Sequence, residues 1–135
     1  MRAFSTFSGA CHCGAVRFEV DAPRDTEVWS CNCSICAKTG YVHLIVEKRA
    51  LRLLSGLGSL TSYRFNTGVA QHLFCAVCGV KPFYVPRSHP DGYSVNVRCL
   101  DGQALATARV RAFDGQNWEQ SAPALVDGKS GRASP

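Results

Sequence analysis

The chain has 135 residues and a formal net charge of +5, with 46% hydrophobic and 19% charged residues. This length leaves no room for a second domain of ordinary size, and the composition is that of a globular protein. No apolar run is long enough to span a bilayer and the first residues lack the apolar segment of a secretory signal, so we expect a cytoplasmic protein without a membrane partner.

The predicted secondary structure is almost entirely β. In CGAVRFEVD, Val16, Phe18 and Val20 alternate with polar residues, which is the period of a half-buried strand. Clusters of Gly, Pro and Asn separate the elements, and a helical turn or two is predicted after Cys33. The further predicted strands are 42–47, 60–65, 71–75, GYSVNVRCL (92–100) and ATARVRAFDG (106–115).

The last residues, 121–135, show no periodicity. We therefore predict a single small, mainly β domain over residues 1–120 followed by a flexible tail over 121–135.

The eight cysteines fall into a C-x-C pair, a C-x-C-x-x-C set, a C-x-x-C pair and the lone Cys99. In a reducing compartment such cysteines favour metal ligation or catalysis over disulfides. A C-x-C pair on an extended strand points both sulfurs to one side, and a C-x-x-C pair before Gly suits a tight turn. The two pairs predict one closed structural zinc site, and a redox C-x-x-C is disfavoured because no βαβ pattern surrounds it. The predicted ligands are Cys11, Cys13, Cys75 and Cys78.

The C-x-C-x-x-C set, Cys31, Cys33 and Cys36, is one ligand short of a closed site. Catalytic zinc sites have three protein ligands and an open fourth position. Two alternatives stay open, namely three metal-free thiols or a fourth ligand from elsewhere. The candidates for that ligand are Cys99, which the strand pattern places on an apolar face beside Val95 and Val97, and His12, His43, His72 and His89.

The basic residues are scattered and form no Lys/Arg run, so we expect no nucleic-acid partner. If seven thiolates bound two zinc ions, the folded charge would fall to about +2. The formal charge therefore overstates the basicity of the folded chain.

The segments GACHCGAVRFEV, SCNCSICAKTG, FCAVCGVKPFY and SVNVRCLDG, in this order, resemble the glutathione-dependent formaldehyde-activating enzyme family, which includes the domain of centromere protein V. The resemblance covers about Gly9 to Trp118. It implies a mostly antiparallel zinc-bearing β-fold similar to that of methionine-R-sulfoxide reductases, with Zn²⁺ at two sites per chain. It also implies a role for Cys99, which lies in a family-like Cys-Leu-Asp. The structural zinc would be held by Cys11, Cys13, Cys75 and Cys78, and the catalytic zinc by Cys31, Cys33 and Cys36.

The implied activity is condensation of glutathione with formaldehyde to S-hydroxymethylglutathione, so that the chain would be a carbon–sulfur lyase or synthase with a small-molecule thiol partner. Lys38, Arg87 and Arg98 are the first cations to consider for the carboxylates of glutathione. One alternative is a non-catalytic two-zinc module that binds a thiol or a protein partner. Another is a purely structural protein in which Cys99 or a histidine closes the second site.

Overall fold

The computed structural model describes residues 4–65, 67–102 and 109–123. In this part of the chain, ten strands, one short α-helix, four three-residue 3-10 segments (Lys48–Ala50, Leu57–Ser59, Val97–Cys99 and Gly115–Asn117) and a helical stretch at 118–123 are present. The helix α1 spans Ser34–Thr39. The strands are β1 (Phe4–Ala10), β2 (Arg17–Pro23), β3 (Glu27–Cys31), β4 (Val42–Glu47), β5 (Leu51–Ser55), β6 (Leu60–Tyr63), β7 (His72–Cys75), β8 (Phe83–Tyr84), β9 (Gly92–Asn96) and β10 (Arg109–Phe113).

The strands form three sheets. The first has the order β1-β2-β5, the second β10-β3-β4-β9-β8, and the third is the hairpin β6-β7. Every pairing is antiparallel except that of β10 with β3, which is parallel. The prediction of a mainly β, mostly antiparallel protein is confirmed.

A hydrophobic core lies between the sheets. The alternation in β2 buries Phe18 and Val20 completely, as the sequence pattern predicts, and they pack with Val28 and Val95. A second, smaller cluster consists of Trp29, Ile45 and Phe113 on the five-stranded sheet. This second cluster matters for function because its side chains line the main cleft.

The predicted elements differ from the observed ones mainly at their ends. The strand 42–47 is observed with the predicted bounds, and the helical turn after Cys33 is α1. The strand predicted through 92–100 ends at Asn96, because the Asn96 side chain accepts a hydrogen bond from the Arg98 N–H and starts the 3-10 segment Val97–Cys99. Cys99 is therefore not on a strand face with Val95 and Val97, and that prediction is wrong.

The predicted boundary between domain and tail stays a prediction. Residues 121–123 continue the helical stretch that starts at Trp118, and the remainder of the predicted tail, 124–135, lies outside the described residues. Over the ranges that are described, no helix is both long and apolar enough to cross a membrane.

The turn after β5 depends on a glycine. Gly56 has a φ of +93°, and a Cβ there would collide with the carbonyl oxygen of Ala15 and lie 2.7 Å from Val16 Cα. We expect Gly56→Ala to lower the free energy of unfolding by about 1–3 kcal/mol or more, because the new side chain meets both a strained φ and the backbone. Chemical denaturation measures this change.

The matched control is Gly58→Ala in the same loop, where a Cβ meets nothing within 4 Å. Its stability should be unchanged or higher by up to about 1 kcal/mol. Equal stabilities for the two variants would contradict this account of the turn.

Candidate functional site

Four cysteine sulfurs converge where the β1–β2 turn meets the end of β7. All four Sγ atoms lie within 4.8 Å of one another, and the Cys11–Cys13 and Cys13–Cys75 Sγ distances are both 3.7 Å. In a tetrahedral ZnS₄ centre with bonds of about 2.3 Å, the sulfurs are about 3.8 Å apart. The four sulfurs, from Cys11, Cys13, Cys75 and Cys78, thus have the separation of a four-coordinate metal site.

The first pair reaches this site through a turn rather than through an extended strand. The N–H of Gly14 bonds to the Cys11 carbonyl, and the N–H of Cys11 bonds to the Val16 carbonyl. The prediction that strand alternation aims these two sulfurs is therefore wrong, although the pairing of the four cysteines is as predicted. At Cys78, backbone N–H groups of Cys13 and Val80 lower the pKa of the thiol to about 6, which favours the thiolate that a metal binds.

Three further cysteines meet at the junction of β3 and α1. Cys31 is the last residue of β3, Cys33 occupies the N-cap position of α1, and Cys36 lies within that helix. Their sulfurs also lie within 4.8 Å of one another. Among residues 4–65, 67–102 and 109–123, no other Cys, His, Asp or Glu has a ligand atom within that distance of all three sulfurs. The described residues therefore supply three converging donors, one fewer than a closed tetrahedral site needs.

The residues considered as a fourth ligand are distributed elsewhere. Cys99 packs against the main core, with its Sγ 4.0 Å from the carbonyl oxygen of Lys81, and burial raises the pKa of its thiol to about 11. His12 is exposed, and His89 lies 2.8 Å from Ser88 Oγ through its Nδ1. None of these side chains belongs to the three-cysteine group.

His43 contacts this group at one point only. Its Nε2 lies 3.0 Å from Cys36 Sγ, and its Nδ1 lies 2.8 Å from Ser94 Oγ and 3.4 Å from the Tyr84 hydroxyl. Burial, together with the charge of Lys81, lowers the pKa of His43 to about 3. His43 is therefore a neutral ring that holds Cys36 in place and also lines the cleft described below.

Hydrogen bonds among the three thiols make their pKa values depend on one another. Hydrogen bonds with Cys31 and Cys36 lower the pKa of Cys33, whereas hydrogen bonds with Cys31 and Cys33 raise the pKa of Cys36. The three thiols are thus coupled, and they lose all their protons only if a cation replaces them. This is the donor chemistry of a thiolate metal site.

The three cysteines line a cleft of about 580 Å³. Its apolar walls come from the second core cluster and Trp118, and its polar walls include the two imidazoles of His43 and His72. A cleft of this size can hold a small peptide-like ligand beside the sulfurs. Most of these wall residues have no local signal in the sequence, because they come from strands far apart in the chain.

The segment after β10 lies directly against the three cysteines. Asn32 holds it there, since its side chain accepts from the Gln116 N–H at 3.0 Å and donates to Asp114 Oδ1 at 3.1 Å. A Cβ on Gly115 would collide with Cys31 Sγ and would lie 2.8 Å from Cys33 Cβ. Only a glycine allows the backbone this close, and sequence reasoning overlooked it.

The three predicted cations differ in position. Arg87 lines the cleft, with its guanidinium 3.8 Å from the centre of the Trp118 ring and 3.5 Å from Glu119 Oε2. Arg98 donates to the Gly40 carbonyl, and Lys38 is exposed on α1. Of the three, Arg87 alone is positioned to meet a ligand in the cleft.

Comparisons with known proteins identify relatives of this chain. A family model described as glutathione-dependent formaldehyde-activating enzyme matches residues 6–116. A Halomonas elongata protein with the provisional name glutathione-dependent formaldehyde-activating enzyme is 58% identical over an alignment of 78 residues that covers 52% of this chain and 50% of that protein. This chain thus spans about half the length of that curated relative. A crystal structure of a Rhodobacter sphaeroides protein has a TM-score of 0.68 at 35% identity, with 77% of this chain and 99% of that chain covered.

The approach of Gly115 gives a test of the three-cysteine group. We expect Gly115→Ala to displace Cys31 and Cys33 and to lower the number of metal ions bound per chain by one, as measured by elemental analysis. The four-cysteine group is remote from this change, so thermal unfolding should remain cooperative. Gly58→Ala serves as the control and should keep the full metal content; a Gly115→Ala protein with undiminished metal would contradict the geometry.

Proposed function

The chain belongs to the glutathione-dependent formaldehyde-activating enzyme family, and we propose that it is a zinc-dependent carbon–sulfur lyase or synthase acting on a glutathione adduct. The reaction would be the condensation of glutathione with formaldehyde to S-hydroxymethylglutathione, or its reverse. The observation that carries this proposal is the open three-cysteine group on the wall of a large cleft.

We propose Zn²⁺ as the metal of both groups. An all-sulfur donor set with tetrahedral separations favours zinc over the hard cations, which prefer oxygen. Cys11, Cys13, Cys75 and Cys78 would hold a structural ion, and Cys31, Cys33 and Cys36 a catalytic one. When bound, the second ion would offer a coordination position at which a thiol loses its proton near neutral pH.

The chain's own residues would prepare the cleft for this chemistry. His43 holds Cys36 through Nε2 while Ser94 holds the other ring nitrogen, so the group keeps its orientation. Trp29 and Phe113 would exclude water from one side of the cleft. Arg87, at the cleft wall, is a candidate partner for a carboxylate of glutathione, provided that its contact with exposed Glu119 opens.

The proposed step balances without an outside reagent. The sulfur of glutathione forms a bond to the carbonyl carbon of formaldehyde, and the carbonyl π pair moves to oxygen. The oxygen then takes up one proton, and this balances the one proton that the thiol releases. The cleft contributes by holding the two reactants side by side, a gain that matters because thiols add to formaldehyde in water without a catalyst.

The central experiment compares two cysteine variants. We expect Cys33→Ser to abolish glutathione binding in calorimetry and to abolish acceleration of the exchange between formaldehyde and its glutathione adduct, followed by NMR. Cys99→Ser is the matched control, because Cys99 belongs to neither sulfur group, and it should retain both properties. If the wild-type protein bound glutathione but did not accelerate exchange, a non-catalytic binding module would replace the proposal.

A second variant tests the structural site. Cys75 is fully buried and belongs to the four-cysteine group. Structural zinc sites contribute on the order of 10 kcal/mol to folding, which is comparable to the whole stability of a small domain. We therefore expect Cys75→Ser to lose its cooperative thermal transition, whereas Cys33→Ser should unfold cooperatively. A stable Cys75→Ser protein with full zinc content would contradict the assignment.

A further inference from the structure

Lys81 is a buried lysine whose environment requires explanation. It is only 7% exposed. No carboxylate in the described part of the chain forms an ion pair with it. Burial of an ammonium group is costly unless other groups compensate its charge. A methionine or leucine would fill the same space at lower cost, so the charge itself calls for a role.

Aromatic rings and one imidazole surround the ammonium group. Lys81 Nζ lies 3.8 Å from the centre of the Tyr84 ring and 4.6 Å from that of Tyr41. It also donates a hydrogen bond to His72 Nδ1 at 2.7 Å. His72 in turn stacks on Tyr84 with a centroid distance of 4.7 Å and an interplanar angle of 15°. Ring faces attract a cation, but they carry no net charge that would neutralise it.

Negative charge reaches Lys81 from the three-cysteine group. Burial lowers the pKa of Lys81 to about 8, and the sulfurs of Cys36, Cys33 and Cys31 oppose this shift when they are ionised. Lys81 is linked to this group through packed side chains, since Tyr84 contacts both the ammonium group and His43, and His43 contacts Cys36. The ammonium group and the sulfurs are therefore separated by a layer of buried side chains, through which Coulomb forces are less screened than in water.

The strength of this attraction depends on the charge of the sulfur group. Three protonated thiols are neutral, whereas three thiolates around a divalent ion carry a net charge of about −1, and a fourth thiolate makes it about −2. Each step toward the loaded site therefore strengthens the attraction to a fixed positive charge.

We propose that Lys81 is a positioning residue that acts as the buried countercharge of the three-cysteine group, favouring both metal loading and the binding of a thiol as its thiolate. The thiol part of this inference rests on the proposed function, and the metal part does not. Tyr41, Tyr84 and His72 hold the ammonium group in place without neutralising it. His72 also lines the cleft, and its Nδ1 is occupied by Lys81.

The test compares zinc-loaded Lys81→Met with the wild-type protein. Zinc affinity of the open site, measured by chelator competition, should fall on the order of tenfold, and affinity for glutathione in calorimetry should fall by at least as much. S-methylglutathione, which cannot supply a thiolate, should bind both proteins with equal affinity. The thermal midpoint should be unchanged or higher, because an apolar side chain is easier to bury than an ammonium group.

Two further variants keep the result decisive. Lys48→Met removes the same charge from an exposed position and should leave all affinities within twofold of the wild type. Lys81→Gln replaces Lys81→Met if the latter does not fold, and it should show the same losses. Zinc and glutathione affinities equal to wild type in either Lys81 variant would overturn the proposal. Failure of the wild-type protein to bind glutathione would refute the proposed function instead, while the zinc affinities would still decide the role of Lys81.

Discussion

The constraint on which the rest of the structure depends is the convergence of four sulfurs at the β1–β2 turn and the end of β7. These two segments belong to different sheets, so the sulfur group ties the three-stranded sheet to the β6–β7 hairpin. β7 is only four residues long, with Cys75 at one end and His72 at the other. Fixing Cys75 therefore also fixes His72 against Lys81 and places it in the wall of the cleft. The four-cysteine group, although structural, thus fixes the position of His72 in the wall of the candidate functional cleft.

The two sulfur groups use the same ligand but differ in closure. The four-cysteine group is complete, and backbone N–H groups support its sulfurs, as at Cys11, whose Sγ accepts from the Val16 N–H at 3.3 Å. The three-cysteine group has a neutral imidazole beside it, an open cleft in front of it and the glycine backbone of Gly115 against it. With a divalent ion bound, its three thiolates would carry a net negative charge, and in our proposal the buried ammonium group of Lys81 offsets that charge. Closure makes one group a support for the fold, and openness leaves the other able to accept a ligand.

The sequence predicts the sulfur groups better than their surroundings. Cysteine spacing alone separates the four-cysteine group from the three-cysteine group, and alternation alone locates β2, because both signals are local. The parallel pairing of β10 with β3 and the half-exposed strand β1 have no local signature. Lys81 is the clearest case: GVKPFY looks like a loop with an ordinary lysine, and only the fold brings Tyr41 and His72 to it. The turn at Cys11–Cys13 and the position of Cys99 show how backbone hydrogen bonds can override a period-two pattern.

The central claim, a closed and an open zinc site in one chain, is tested most directly by X-ray absorption at the zinc edge on protein carrying two zinc ions. One site with four sulfurs and one with three predict an average of about 3.5 sulfur ligands per zinc, with the remaining ligand a light atom. Addition of glutathione should raise this average to about 4, because the incoming sulfur occupies the open position. An average that is already about 4 before glutathione is added, or one that stays at about 3.5 at saturating glutathione, would contradict the account.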